Sequence, residues 1–174
     1  MSKAVMLSIR PKWCEKIASG EKTIEVRKTK PKLKTPFKCY IYCTLPKYPH
    51  EDFIATDYPM PQFYGGGKVI GEFTCERIAL IAYDGGELSS TTNAAFSPAT
   101  CLTQSEIIAY IGDKGRCYGW HMSDLCIYDQ PKGLDEFTRL RETKFGSEPV
   151  TIKRPPQSWC YVEDMDNGWI ETLP

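Results

Sequence analysis

The chain has 174 residues, of which 41% are hydrophobic and 25% are charged, so it is long enough for one domain with its own core. Its 22 basic and 22 acidic residues cancel, and this neutral total argues against a protein that coats long nucleic acid. No apolar run approaches the roughly twenty residues of a membrane helix and the N-terminus lacks a secretory signal pattern, so a cytoplasmic protein with no membrane partner is expected.

Residues 4–28 predict a strand, a helix and a second strand in immediate succession. Hydrophobic residues alternate over 5–9, which is typical of a strand with one buried face. Pro11 fits the first turn of a helix, where a missing amide donor costs nothing, and Gly20 allows the left-handed turn that ends the helix. We expect the later elements to be arranged around this β–α–β unit.

The second strand of this unit concentrates charge on one face. Two apolar residues share one face of the strand, so Glu25 and Arg27 share the other, with Lys22 at the strand's entrance. One interpretation is an exposed ion pair of little energetic consequence. The other is a polar pocket in which Arg10, Lys22 and Arg27 hold an anionic or carbonyl-bearing ligand, and Glu25 orients or deprotonates it.

Two runs in this segment resemble the signature of the ASCH domain family, which is G-x-K-x-x-E-x-R after a short first helix. They are LSIRP at residues 7–11 and GEKTIEVR at residues 20–27. The resemblance is specific over the first thirty residues and looser afterwards. It implies an α+β fold, a small PUA-like mixed β-barrel with two or three short helices, and a cleft beside the motif. It also implies a role connected with RNA or modified nucleosides.

Basic residues are concentrated in the first quarter of the sequence. Residues 1–48 contain twelve Lys and Arg against three Glu, a net charge of +9. Most of this excess is formed by Lys28, Lys30, Lys32, Lys34 and Lys38. Such a run either protects a solvated strand edge from pairing or forms a phosphate-attracting rim next to the motif.

The eight cysteines do not predict a disulfide framework or a metal site. They are scattered, they include no C-x-x-C pair, and only two histidines accompany them. We interpret them as small buried hydrophobic residues. No metal ion and no cofactor is therefore expected.

The remaining elements follow from alternation and from turn residues. We predict a single domain over 1–174, with an insertion loop over about 45–66 and another over about 84–102. Thr103 as N-cap, with Glu106 three residues later, predicts a second helix that ends at Gly112. The other predicted elements are strands over 38–44, 68–83, 117–128 and 158–162, a short helical turn over 134–140 and a polar loop over 142–148.

Three later residues are added to the predicted ligand site. Trp120 lies in the strand over 117–128, and Gln157 and Trp159 lie at the entrance to the closing strand. They offer a hydrogen-bonding amide and two rings on which a base can stack. His121 is interpreted as a structural histidine, although a general base is the alternative.

Three functions remain open on the sequence alone. The leading hypothesis is an ASCH-type module that binds RNA or a modified nucleoside in the polar cleft. The second is a hydrolase, either an amidohydrolase of acylated nucleobases or a ribonuclease, with Lys22 and Glu25 as catalytic residues. The third is a protein-interaction module without catalysis.

The resemblance to small bacterial acetylcytidine amidohydrolases includes one departure. Members of that group have a catalytic lysine at the position of Lys22 and a nucleophilic threonine at the position of Glu25. A carboxylate cannot replace the hydroxyl nucleophile, but it can activate water while Lys22 or Arg27 stabilises the oxyanion. The group's distal glutamate has no counterpart here except Glu87.

Overall fold

The computed structural model describes residues 2–45, 65–91 and 96–165, and no helix in these ranges has the length and apolarity to cross a membrane. The three described helices are α1 (Pro11–Ala18), α2 (Phe96–Thr100) and α3 (Gln104–Ile111). The nine described strands are β1 (Lys3–Ile9), β2 (Ile24–Arg27), β3 (Phe37–Cys43), β4 (Lys68–Tyr83), β5 (Leu88–Ser90), β6 (Arg116–Lys132), β7 (Thr138–Thr143), β8 (Gly146–Thr151) and β9 (Trp159–Glu163). The α+β class with two or three short helices is confirmed.

The β–α–β unit predicted from residues 4–28 is present. Pro11 is the first residue of α1, and Gly20 after its end has a φ of +80°, a conformation that glycine adopts without strain. The second predicted helix is present as α3. The Thr103 hydroxyl accepts a hydrogen bond from the Glu106 amide, and the Glu106 carboxylate accepts one from the Thr103 amide.

The chain divides into two compact units, each made of segments distant in sequence. The first unit contains Met1–Lys12, Lys38–Glu72 and Cys126–Pro174. β1 is central in this unit because it pairs in parallel with β3 and antiparallel with β9. Its apolar core contains Ala4, Met6, Tyr40, Tyr42, Val69, Phe137, Ile152 and Val162.

The second unit contains Trp13–Phe37 and Phe73–Leu125. In this unit β2 pairs antiparallel with β6, and β5 pairs antiparallel with β4. The core is formed by Val26, Ile81, Ile107, Ile111 and Cys117. One face of β2 therefore contributes to this core, together with the buried face of α3.

The prediction of a small mixed β-barrel is wrong, because the described strands do not close into a barrel. The larger sheet has the strand order β2-β6-β4-β3-β1-β9, with β5 added at β4. A barrel requires its two end strands to pair, and β2 and β9 do not pair in the described part of the chain. The two remaining strands, β7 and β8, form a separate antiparallel sheet.

Two segments that we predicted to be loops contain regular structure. Residues 142–148 belong to the hairpin of β7 and β8, whose residues are mostly exposed on both faces, so the sequence has no apolar alternation there. The segment over 84–102 contains β5 and α2. The insertion loop predicted over 45–66 falls outside the described residues, apart from its ends.

All eight cysteines are free thiols, and five of them are buried, as predicted for small hydrophobic residues. Cys126 differs because its side chain is exposed. Burial raises the pKa of the Cys75 thiol to about 12 and that of Cys117 to about 11. The buried thiols are therefore expected to be chemically inert.

At pH 8, iodoacetamide should modify Cys126 and leave Cys75 and Cys117 unmodified. The thiolate is the nucleophile. Relative to an ordinary thiol pKa of 9.0, a pKa of about 11 for Cys117 leaves about a hundredfold less thiolate, and a pKa of about 12 for Cys75 leaves about a thousandfold less. Alkylation followed by peptide mass spectrometry measures this difference, and the urea-unfolded protein, in which all three react, is the control. Equal labelling of Cys117 and Cys126 in the native protein would contradict the burial of Cys117 and the exposure of Cys126.

Candidate ligand-binding site

The charged face of β2 is buried rather than solvated. In the antiparallel pair with β6, Glu25 lies opposite Trp120 and Arg27 lies opposite Tyr118, so these four side chains share one face. All four residues of β2 are buried. The interpretation of Glu25 and Arg27 as an exposed ion pair is therefore wrong.

Lys22, Glu25 and Arg27 form one ion cluster. The Lys22 Nζ lies 3.4 Å from Glu25 Oε2, and the Arg27 Nε lies 3.0 Å from Glu25 Oε1. Their side chains are only 3%, 8% and 10% exposed for Lys22, Glu25 and Arg27, respectively. Each carboxylate oxygen thus has its own cationic partner, as buried charges require.

The Lys22 ammonium is held by two further groups. Its Nζ donates a hydrogen bond of 2.7 Å to the Thr100 carbonyl, and it lies 5.1 Å from the centre of the Trp13 ring. Thr100 is the last residue of α2, and the carbonyls at a helix C-terminus lack partners within the helix and favour a cation. Lys22 therefore joins the end of α2 to the entrance of β2, where the Thr23 amide also donates to the Ala99 carbonyl.

The Lys22 ammonium can donate one more hydrogen bond. A lysine ammonium can donate three hydrogen bonds. Within the described residues, the structure supplies two oxygen partners, the Thr100 carbonyl and Glu25 Oε2. A ligand carbonyl or hydroxyl would complete the set.

Trp120 is fully buried, and its ring packs edge-on against Phe37 at a centroid distance of 5.9 Å. It lies beside Glu25 on the shared face, so it forms a wall next to the ion cluster. The structure thus brings Trp120 together with Lys22, Glu25 and Arg27 in the second unit. Its role in ligand binding stays a prediction.

His121 is also buried, on the face of β6 opposite to that of Trp120. Its Nδ1 lies 3.3 Å from Arg77 Nη2. Since a guanidinium can only donate, Nδ1 is the acceptor in this pair. Burial, and then the charge of Arg77, lowers the pKa of His121, so the imidazole is neutral at physiological pH.

Arg10, Gln157 and Trp159 belong to the first unit. Arg10 is exposed between β1 and α1, and Gln157 is exposed before β9. Trp159 is the first residue of β9, is half-buried and packs edge-on against Tyr161 at 5.4 Å. Their participation in a ligand site stays a prediction.

No protein-family model and no curated protein sequence matches the chain. Solved structures, in contrast, do match the chain. The crystal structure of ASCH from Zymomonas mobilis is 18% identical, with a TM-score of 0.56 over 94% of this chain and 90% of that chain. Two single-residue variants of the Z. mobilis protein superpose with TM-scores of 0.55 at the same identity, over 93% and 92% of this chain and 91% and 88% of theirs. The chain therefore has the fold of the ASCH proteins.

Proposed function

We propose that the chain is a member of the ASCH family that binds RNA or a modified nucleoside through the ion cluster of Lys22, Glu25 and Arg27. The observation that carries this proposal is the burial of two cationic side chains around one carboxylate. The G-x-K-x-x-E-x-R spacing and the shared fold support it.

The burial of the cluster is hard to explain by stability alone. Desolvating three charges costs several kcal/mol each, and well-packed apolar residues of similar volume often replace a buried ion pair without loss of stability. Stability alone is therefore a weak reason for this core to keep three charged groups. A function for the cluster in recognising a ligand accounts for its presence.

The chemistry of the cluster suits a nucleobase or ribose. The ammonium of Lys22 can donate to a base carbonyl or a hydroxyl, and the Glu25 carboxylate can accept from an amino group. Trp13, half-buried beside Lys22, offers an aromatic surface at the same place. Proteins commonly read an unstacked RNA base through such a combination of hydrogen bonds and a ring.

Two cations hold the Glu25 carboxylate in place without occupying all of its lone pairs. In Glu25, Oε2 faces the Lys22 ammonium and Oε1 faces the Arg27 guanidinium. Each carboxylate oxygen can accept more than one hydrogen bond. A ligand amino group can therefore donate to Glu25, which is the role that we propose for this residue.

Substituting Lys22 by Gln should weaken ligand binding by about tenfold to a hundredfold. A hydrogen bond to a charged group contributes about 1.5–3 kcal/mol, and 1.4 kcal/mol corresponds to a factor of ten in Kd. Titration calorimetry with the common nucleosides, acetylcytidine and a short single-stranded RNA measures the effect.

Lys16→Gln is the matched control, because the Lys16 side chain on α1 is 41% exposed, against 3% for Lys22, and its loss should leave Kd unchanged. Circular dichroism establishes that both variants are folded. If folded Lys22→Gln binds every ligand as the wild type does, the cluster is not the binding site. Turnover of acetylcytidine or RNA, followed by chromatography, would instead assign the hydrolase function, and the absence of any binding would leave the protein-interaction module.

A further inference from the structure

A basic cavity of about 430 Å³ lies in the second unit. Its lining residues are Lys28, Thr29, Lys30, Lys114, Arg116 and Tyr118. Four of these six residues are cationic, and none is acidic. The lining combines the segment that follows β2 with the turn that precedes β6 and the start of β6 itself.

The cavity continues the face that carries the ion cluster. Tyr118, which lines the cavity, is the direct partner of Arg27 across β2 and β6. Arg116 and Trp120 lie two residues to either side of Tyr118, so all three fall on one face of β6. Glu25 in the ion cluster and Thr29 in the cavity lining are four residues apart, so their backbones are at most about 14 Å apart. One ligand of modest length can therefore contact both the cluster and the cavity.

The cations of the cavity are available to a ligand. Lys28, Lys30, Lys114 and Arg116 are exposed, and none of them forms an ion pair with another described residue. Lys28 lies 5.2 Å from the ring centre of Tyr110, and Lys30 lies 5.5 Å from that of Tyr118. These rings hold the two lysine side chains in place and add aromatic surface between the charges.

We infer that this cavity binds the phosphates of a single-stranded oligonucleotide whose base or ribose occupies the ion cluster. The inference rests on the proposed function and extends it from a nucleoside to a phosphodiester chain. A lining with four cations and no acidic residue favours a polyanion. Tyrosines placed among cations are typical of surfaces that follow a single strand. The sequence-based expectation of a phosphate-attracting rim thus applies to Lys28 and Lys30, joined by Lys114 and Arg116.

The double variant Lys114→Gln/Arg116→Gln tests this inference. Binding of an eight-nucleotide single-stranded RNA is measured by calorimetry between 50 and 200 mM salt, beside binding of the free nucleosides. The variant should bind the RNA about tenfold more weakly at low salt, and its slope of log K against log salt should be shallower by about 1.4, because two phosphate contacts are lost. Nucleoside affinity should be unchanged.

The matched control is Arg139→Gln/Lys144→Gln, which removes one exposed arginine and one exposed lysine from the hairpin of β7 and β8. It should bind the RNA with the affinity and salt slope of the wild type. An equal loss in both double variants would show that only the overall charge matters and would overturn the inference.

Two further outcomes separate this inference from the proposed function. RNA binding that depends on Lys22 but is unaffected by Lys114→Gln/Arg116→Gln would overturn the inference and leave the proposed function standing. RNA binding that depends on the cavity but not on Lys22 would overturn the proposed function. Polyglutamate bound as tightly as the RNA, with the same dependence on Lys114 and Arg116, would assign the cavity to an acidic protein partner and overturn the inference.

Discussion

Glu25→Gln should lower the free energy of unfolding by about 3–5 kcal/mol, the usual effect of removing one partner from a buried ion pair. Lys22 and Arg27 both point their charges at this carboxylate, at 3.4 and 3.0 Å. Without it, the two buried cations lose the anion that they share and repel each other. Urea unfolding followed by circular dichroism measures the loss as a shift of the transition midpoint at constant slope.

Glu21→Gln is the matched control for this prediction. Glu21 pairs with Lys16 at 2.8 Å, but the two side chains are 59% and 41% exposed. Solvent screens such a pair, so its removal should leave the unfolding midpoint nearly unchanged. If both variants lose the same stability, the buried cluster has no special energetic role and the described burial of Glu25 is contradicted.

Gly71→Ala should destabilise the protein by about 3 kcal/mol or more, at the upper end of the range for overpacked interiors. A Cβ at position 71 would lie 2.3 Å from the Cys126 carbonyl oxygen and 3.0 Å from the Ile127 Cα. Both atoms belong to the backbone of β6 and cannot rotate away. Thermal denaturation should show the effect as a large decrease in Tm or as loss of soluble protein.

Gly86→Ala provides the comparison, because an added Cβ there would meet only the Asp84 Oδ1 at 3.6 Å. We expect its Tm to remain close to that of the wild type. A Gly71→Ala protein as stable as Gly86→Ala would mean that β4 and β6 do not approach each other as closely as described. The glycine in β4 thus marks a close backbone contact.

Elements with a strong periodic pattern and clear end signals were predictable from the sequence. β1 is present where the alternation predicts a strand, although both of its faces are buried and the prediction of one buried face was wrong. α1 begins at Pro11, and α3 has the Thr103 and Glu106 capping box. Each of these signals reflects a local physical requirement, such as a satisfied amide or a buried face, so one sequence is enough to show it.

The hairpin of β7 and β8 was not predictable because its stability does not come from one buried face. Its residues are polar and exposed, and Phe145 at its turn is fully exposed. Closure of a barrel is equally invisible in the sequence, since it depends on pairing between distant strands. That expectation came from the family resemblance and was wrong.

The candidate site was predictable in its charged residues but not in its surroundings. The spacing of Lys22, Glu25 and Arg27 identified them together, yet whether their face was solvated depends on what covers it. The contribution of Thr100 is a backbone carbonyl at the end of α2, and every residue type carries such a group. Only the fold shows which carbonyl lies next to the ammonium.

The position of β1 between β3 and β9 constrains how the protein forms during synthesis. β3 follows β1 closely in the sequence. β9 (Trp159–Glu163), the other partner of β1, is synthesised about 150 residues later. At about 5–20 residues per second this interval is on the order of 10 s. During this time the edge of β1 that later pairs with β9 has no partner strand. Six residues of β1 are buried in the folded protein. The nascent chain therefore depends on other contacts to keep this edge from aggregating.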